Sequence, residues 1–206
     1  MNWVSSINNP MAKLLDRISA QIRSGGMQMR SRKAREWLRK EVSRATLPAN
    51  IRGASILRDD KRKVNRIEPG RMYFYVYDPK TKDSLPYYDK FPLVLPIERY
   101  SDGFLGLNFH YIRPKERILL LDKLYDTLTN TRYDETTKLR VSYDILNSAA
   151  RFEAFKPCIK RYLLSHVRSG IIEVGIDDWE IALMLPVDNF EGASREKVYR
   201  DSRKMY

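Results

Sequence analysis

The pattern of apolar and polar positions changes near residue 70 and again near residue 113. Before residue 70, apolar residues recur at helical spacing over residues 9–43, with a break at Ser24-Gly25-Gly26. A second helix is predicted over residues 29–44, and its apolar stripe is narrow, which is typical of a helix that lies against a partner. Residues 45–70 are predicted to form a largely irregular linker or extended arm.

Short segments rich in aromatic and β-branched residues follow and indicate strands. Strands are predicted over residues 72–77, 91–97 and 104–112. Pro92 and Pro96 lie in the second of these, so we expect it to be an edge strand or a bulged strand. Tight turns between short strands predict a small antiparallel sheet or an open barrel.

From residue 113 onward the apolar spacing becomes helical again. Helices are predicted over residues 114–128, 139–150, 157–168, 179–185 and 193–206, with a returning strand over residues 171–176. Asp134-Glu135 and Asp177-Asp178 are predicted to cap helices rather than to act as paired acids. The sequence therefore predicts an α+β fold: a small antiparallel sheet or open barrel with several packed helices over residues 71–206, preceded by a basic helical arm and linker over residues 1–70.

Positive charge is concentrated at the start of the chain. The formal net charge is +12 over 206 residues; residues 1–70 carry 16 Lys/Arg against 6 Asp/Glu, a balance of +10, and the remainder carries 22 against 20, a balance of +2. Such a leader attracts phosphates by releasing their condensed counterions, so nucleic acid is the first predicted partner and an acidic protein surface is the second. Membrane attachment is the least favoured, because the apolar stripe offers only Trp37 and Leu38 as strong anchors.

The candidate residues for nucleic-acid or partner binding are all cations of this leader. They are Arg30, Arg32, Lys33, Arg35, Arg39, Lys40, Lys61, Arg62, Lys63 and Arg66.

Alternating tyrosines in the first predicted strand raise a separate question. Tyr73, Tyr75 and Tyr77 share one face of the strand, whereas Phe74 and Val76 share the other. Stacking platforms for single strands usually carry interleaved basic residues, and this segment has none. We therefore expect the three tyrosines to be packing material that covers an interface or a half-buried wall, with Trp37 as a further interface aromatic, while Phe74 and Val76 face the core.

Candidate chemistry is sparse. His110, His166 and the single Cys158 give no zinc-ligand spacing, so they are expected to have structural roles, and no metal, cofactor, small-molecule substrate or catalytic residue is predicted. The lone cysteine fits a reducing compartment or a particle assembled inside a cell. Asp78-Pro79-Lys80 with Glu68 upstream has the residue types of a metal-dependent nuclease, but the segment is more typical of a surface turn.

Several stretches together resemble a known family. They are YDPKTKDSLPYYDKFPLVLPI, GFLGLNFHYIRP, RILLLDKLYD, YDETTKLRVSYDIL, FKPCIKRYLLSHVRS and DDWEIALMLPV, and they span most of residues 71–206. This pattern of turns and apolar positions resembles virion proteins of T4-type contractile-tailed phages that are known as DNA end protectors of the packaged genome.

The resemblance implies a structural component of the virion, assembled in the host cytoplasm and fitted near the portal and the packaged double-stranded DNA at head completion, without enzyme activity. Its implied partners are other virion proteins of the portal, neck or tail. Two alternatives remain at this point: a tail, neck or baseplate subunit held only by protein contacts, and a metal-dependent nuclease.

Overall fold

The computed structural model describes residues 62–113, 116–117, 120, 124, 126–127, 130–151, 153–184 and 187–204. The predicted helices over residues 9–43 and 29–44, and most of the predicted linker, lie outside these residues. Six of the described strands form one sheet in the order β1-β7-β2-β4-β5-β6, and β3 and β8 form a second, two-stranded sheet. The strands are β1 (Lys63–Val64), β2 (Met72–Phe74), β3 (Tyr88–Asp89), β4 (Leu93–Arg99), β5 (Gly103–Asn108), β6 (Ile159–Leu163), β7 (Ile171–Val174) and β8 (Phe190–Glu191).

Every pairing between these strands is antiparallel, and the order of the larger sheet ends at β1 and β6. The helices with complete bounds are α1 (Glu135–Ala149), α2 (Trp179–Met184) and α3 (Arg195–Arg203). The described part of the chain is therefore a mostly antiparallel sheet with helices, as the predicted α+β class requires, and the sheet is open rather than closed into a barrel.

Two of the helices begin at polar caps that are visible in the sequence. The Asp134 side chain accepts a hydrogen bond from the Thr137 amide at 2.7 Å, and this bond lowers the pKa of Asp134. Ser194 accepts from the Lys197 amide at 3.3 Å at the start of α3. These bonds satisfy amides that the first helical turn leaves without an intrahelical partner. The predicted cap at Asp134 and the predicted basic C-terminal helix are confirmed.

The strand that contains Pro96 is bulged, as predicted, but it is not an edge strand. β4 lies between β2 and β5, and its register with β5 shifts between Pro96 and Glu98. The bulge lets a residue without an amide hydrogen occupy a central strand, because one residue is left out of the ladder at that point. Of the two forms expected for this strand, edge or bulged, the bulged one is confirmed.

The predicted helix over residues 157–168 is wrong as well. The segment forms β6 and then a short 3₁₀ turn, Leu164–His166. β6 pairs with β5 from Gly103↔Leu163 to Leu107↔Ile159, so its apolar residues serve a sheet edge rather than a helical face. Tertiary pairing has overridden an apolar spacing that fitted both structures.

Alternation along β2 divides the buried residues into two clusters. Phe74 lies in the main core, which also contains Leu93, Leu95 and Trp179, and Val76 packs against that core. The predicted inward orientation of Phe74 and Val76 is confirmed. The second set, which we call the tyrosine cluster, consists of Ile67, Tyr73, Tyr75, Tyr77, Val94, Phe104 and Tyr162.

The described end of the predicted linker contacts the domain. β1 pairs with β7, Ile67 is buried, and Nη1 of Arg62 lies 2.6 Å from Oδ2 of Asp178. The division of the chain at residue 70 stays a prediction; Lys63 and Val64, which precede it, already belong to the sheet. Within the part of the chain that is described, no helix combines the length and the apolar character needed to cross a membrane.

Candidate nucleic-acid interface

Most of the predicted binding cations lie outside the described residues. This applies to Arg30, Arg32, Lys33, Arg35, Arg39, Lys40 and Lys61, and also to the predicted interface residue Trp37. Arg62 forms the ion pair with Asp178, Lys63 lies in β1, and Arg66 is exposed. Their binding role, and the arrangement of the predicted set in one site, stay predictions.

The three predicted interface tyrosines are buried within the subunit. Tyr73, Tyr75 and Tyr77 are 1%, 0% and 6% exposed, which is deeper than the predicted interface or half-buried wall. The Tyr73 hydroxyl accepts a hydrogen bond from the Glu68 amide at 3.0 Å, and the Tyr77 hydroxyl accepts from the Leu163 amide at 3.1 Å. They are packing material of the subunit itself, and a contact with another chain stays a prediction.

The two carboxylates of the nuclease alternative, those of Asp78 and Glu68, form ion pairs with neighbouring cations. Nζ of Lys82 lies 3.1 Å from Oδ1 of Asp78, and Glu68 lies 3.1 Å from the Arg71 guanidinium. Lys80 is exposed, as expected for a surface turn. Over the described ranges, no group of three or more His, Cys, Asp or Glu residues could hold a metal ion.

The histidines and the cysteine lie in structural contacts. Nδ1 of His166 donates to the Asp78 carbonyl oxygen at 2.8 Å, and Nδ1 of His110 donates to Oδ2 of Asp89 at 2.7 Å. Cys158 is 1% exposed in the main core, and burial raises the pKa of its thiol to about 12. A thiol with such a pKa stays protonated near neutral pH, so the predicted packing role of Cys158 is confirmed.

A concave site lies between β6 and the loop formed by residues 78–88. Its volume is about 370 Å³, within the range of roughly 300–1,000 Å³ that small-molecule sites occupy. Its walls are mainly aromatic, and three cations, Lys80, Lys160 and Arg161, line it together with one carboxylate, that of Asp89. We call it the β6 pocket.

Lys160 is the most unusual residue of the β6 pocket. Its ammonium lies 4.1 Å from the centre of the Tyr111 ring, and it forms no ion pair with any described residue. Burial lowers the pKa of Lys160, because removing water disfavours the charged form and no carboxylate offsets that loss. The pocket thus contains a partly dehydrated cation held over an aromatic face.

Arg161, the neighbouring cation, already has partners within the fold. Its Nη1 donates to the Tyr162 carbonyl oxygen at 2.7 Å, Nη2 is bonded to Asp102, and the guanidinium lies 4.4 Å from the Tyr100 ring centre. Within the described residues, Lys80 forms no ion pair. Lys160 and Lys80 are therefore the cations of this pocket whose charge is not offset by a carboxylate.

The carboxylate of Asp89 is saturated by donors from inside the fold. Oδ1 accepts from the Phe91 amide at 3.0 Å and the Asn189 amide at 3.3 Å, and Oδ2 accepts from Asn108 Nδ2 at 3.0 Å and from His110. Hydrogen bonds of this kind disperse the negative charge. Asp89 therefore holds the floor of the β6 pocket together without acting as a counter-ion to Lys160.

The aromatic walls are fixed by neighbouring rings and by backbone pairing. Tyr77 forms an isolated bridge with Val167 and packs edge-to-face on Tyr162 at 4.9 Å. The ring centres of Tyr87 and Tyr111 lie 6.4 and 5.2 Å from the ring centre of Phe190. Rings held on several sides lose little further freedom when a ligand binds, which favours a preformed site.

This pocket is not among the sites predicted from the sequence, because a helix was predicted over residues 157–168. That prediction placed Lys160 on a helix, whereas in β6 Lys160 and Tyr162 stand two residues apart and share a face. An alternating interpretation of IKRYL would have shown a cation beside a tyrosine on one face of a strand. That signal was present, but helical spacing over residues 157–168 obscured it.

Comparison with known proteins gives one finding. No curated protein and no solved structure matches the chain. A family model described as phage T4 terminal DNA protecting protein matches residues 7–206, which covers both the basic leader and the described domain. The resemblance to T4-type DNA end protectors is confirmed, and the chain belongs to the phage T4 terminal DNA protecting protein family.

Proposed function

We propose that this chain is a virion protein that binds and protects the ends of packaged phage DNA. The observation that carries the proposal is the family match, which extends over residues 7–206 and so includes the basic leader. The family description names protection of terminal DNA and no reaction. A protein of this kind acts by occupying the end of a duplex and by excluding nucleases from it.

The basic leader supplies the general attraction to DNA in this proposal. Its balance of +10 over residues 1–70 suits a surface that neutralises backbone phosphates regardless of sequence. If about six phosphates are engaged, a plot of log K against log salt has a slope of about −5. The near-neutral remainder of the chain provides the folded body on which the leader is mounted.

The proposal is tested by comparing linear and circular DNA of the same sequence. Mobility shifts at low and moderate salt measure affinity for each form with the full-length protein. We expect both to bind at low salt, with affinity falling steeply as salt rises, and the linear form to retain the tighter binding because it has ends. Equal binding of the two forms, or binding indifferent to salt, would contradict the proposal.

Substitutions that remove positive charge test the role of the leader in DNA binding. Replacing Arg30, Arg32, Lys33, Arg35, Arg39 and Lys40 with Gln removes six positive charges, and the matched control exchanges Arg and Lys at the same positions. We expect the Gln variant to lose affinity and to have a shallower salt dependence, while the control retains both. If the Gln variant binds DNA normally but fails to enter particles, the leader instead contacts neighbouring virion proteins.

Two further measurements separate the remaining alternatives. Fractionation of particles tests whether the chain lies in the head, as end protection requires, or in the tail or baseplate. Incubation of the purified protein with DNA and Mg²⁺ tests the nuclease alternative. Cleavage that Asp78→Ala removes would contradict a purely protective role.

A further inference from the structure

We propose that the β6 pocket binds the terminal nucleotide of a DNA strand, with its phosphate at Lys160 and its base against the tyrosine walls. This inference rests on the proposed function and gives it a site within the described domain. A protein that distinguishes an end from the middle of a duplex must contact something found only there. Two such features are the last nucleotide, whose base can leave the stack most easily, and a terminal phosphate.

The first feature that favours a nucleotide is Lys160, a cation without a carboxylate partner among the described residues. Lys160 is half-buried, its ammonium lies 4.1 Å from the centre of the Tyr111 ring, and it forms no ion pair with the described residues. A dehydrated ammonium is costly unless an anion or a set of acceptors compensates it. An incoming phosphate would supply that compensation, and exposed Lys80, which also lines the pocket, would add a second positive charge.

The second feature is the aromatic lining. Tyr77 and Tyr111 border the β6 pocket but are 6% and 5% exposed, so the half-buried Tyr87 and Tyr88 offer the accessible rings, and the exposed side chain of Leu85 adds apolar surface. Bases stack on aromatic side chains with little sequence preference, because every base has a π-face. A protein that guards DNA ends of any sequence needs contacts of this kind rather than base-specific hydrogen bonds.

The third feature is the charge of the site as a whole. The one carboxylate in the lining, Asp89, accepts four hydrogen bonds from the fold and forms no ion pair with Lys160, and Lys80 and Lys160 outnumber it. Arg161 is committed to Asp102 and to backbone carbonyl oxygens. The pocket therefore has an excess of positive charge together with aromatic walls, which is the combination that suits a nucleotide.

The test titrates the full-length protein with thymidine 5′-monophosphate and follows binding by calorimetry. Lys160→Met removes the charge and keeps an apolar side chain of similar length. Lys156→Met is the matched control, since Lys156 is exposed, pairs with Glu153 and does not line the pocket. We expect saturable binding to the native protein and to Lys156→Met, and at least a tenfold loss of affinity in Lys160→Met. Folding of each variant is checked by circular dichroism.

Thymidine and inorganic phosphate separate the contributions of base and phosphate. We expect each to bind at least tenfold more weakly than the monophosphate. Phosphate that binds as tightly as the nucleotide would contradict the stacking part of the inference, and thymidine that binds as tightly would contradict the role of Lys160. Absence of saturable nucleotide binding, or equal binding by the two lysine variants, would overturn the site.

A labelled DNA hairpin with a single end links the pocket to the function. If the native protein ignores the end, the proposed function fails, whereas the nucleotide titration still decides the pocket. If the native protein and Lys160→Met bind the end equally, the pocket inference fails and the proposed function stands.

Discussion

The two faces of the six-stranded sheet bury apolar residues in different ways. The main core is built mainly of aliphatic side chains and phenylalanines together with Trp179 and Tyr111, and α1, α2 and α3 contribute to it. The tyrosine cluster on the other face has four tyrosines among its seven residues and is bordered by Val64, Val167 and Ile171. One face is closed by helices, and the other by rings that also carry hydroxyl groups.

The two clusters differ in how their side chains are held. In the main core most side chains contribute through burial, which scales with the apolar area removed from water, and Trp179 adds a hydrogen bond to the Val174 carbonyl oxygen. In the tyrosine cluster, hydroxyl groups also accept bonds from the backbone at residues 68 and 163, and Tyr77 and Tyr162 line the β6 pocket. Tyr87 and Tyr111 of the main core line the same pocket, so the candidate site lies where the two clusters meet.

The largest expected effect is in the main core. Trp179→Ala should lower the free energy of unfolding by about 3–5 kcal/mol, because it leaves a large cavity at a fully buried position and removes the Nε1 bond to the Val174 carbonyl oxygen. Urea denaturation measures the change. Leu164→Ala, at a position 44% exposed, is the control and should stay within about 0.5 kcal/mol of the native protein.

A smaller loss is expected at the floor of the β6 pocket. Asp89→Asn replaces one acceptor oxygen with a donor and leaves a buried donor of the network unsatisfied, which costs about 1–3 kcal/mol. Asp78→Asn is the control, because its ion pair with Lys82 lies at the surface and contributes about 1 kcal/mol or less. Equal losses in the two variants would show that the buried network does not hold the pocket floor.

The hydroxyl of Tyr77 should have a modest effect on stability. Tyr77→Phe removes the acceptor of the Leu163 amide and should lower the free energy of unfolding by about 0.5–1.5 kcal/mol. Amide hydrogen exchange at Leu163 should rise in the same variant. An unchanged exchange rate would contradict the view that this hydroxyl fixes β6 against the pocket.

Lys160→Met should leave stability unchanged or raise it by less than about 1 kcal/mol, since it removes a dehydrated charge. Because burial lowers the pKa of Lys160 in the folded state, the unfolded chain binds more protons between that pKa and the ordinary value of 10.5. The destabilisation caused by the buried charge is thus fully present below the folded-state pKa of Lys160 and is lost as pH rises towards 10.5. Denaturation at several pH values should show the advantage of the variant shrinking over that interval; a clear loss of stability at neutral pH would indicate a structural role for Lys160.

The smallest effect is expected at Tyr75. Its hydroxyl is buried and has no hydrogen-bond partner among the described residues, so Tyr75→Phe should change the free energy of unfolding by less than about 0.5 kcal/mol, in the stabilising direction. Thermal denaturation of Tyr75→Phe and Tyr77→Phe under the same conditions gives a matched comparison of their free energies of unfolding. If both variants lose the same free energy, hydrogen bonding does not distinguish the two tyrosines.

Local patterns in the sequence predicted much of the domain. The helix α1 with its cap at Asp134, the strand β7 and the basic helix α3 were all visible, because each depends on short-range spacing and capping. Phe74 and Val76 were placed correctly because alternation along a strand determines which residues face the core.

What could not be predicted depends on pairing between distant segments. Pro96 was compatible with an edge strand or a bulged strand, and only the pairing of β4 with both β2 and β5 decides that it is bulged and central. The β6 pocket brings together Tyr77, Tyr87, Tyr111 and Lys160, which come from four separate parts of the chain. No single stretch of the sequence contains these four residues, and the strongest local signal in the sequence was the basic leader.

Protection of a DNA end against an exonuclease tests the central claim most directly. Linear duplex DNA with and without the full-length protein is digested by a processive exonuclease, and the fraction of intact DNA is followed over time. The account predicts that the bound duplex survives long after the naked duplex is degraded, and that Lys160→Met protects it less well than Lys156→Met does. Digestion of the bound duplex at the rate of naked DNA, under conditions where binding is shown, would contradict it.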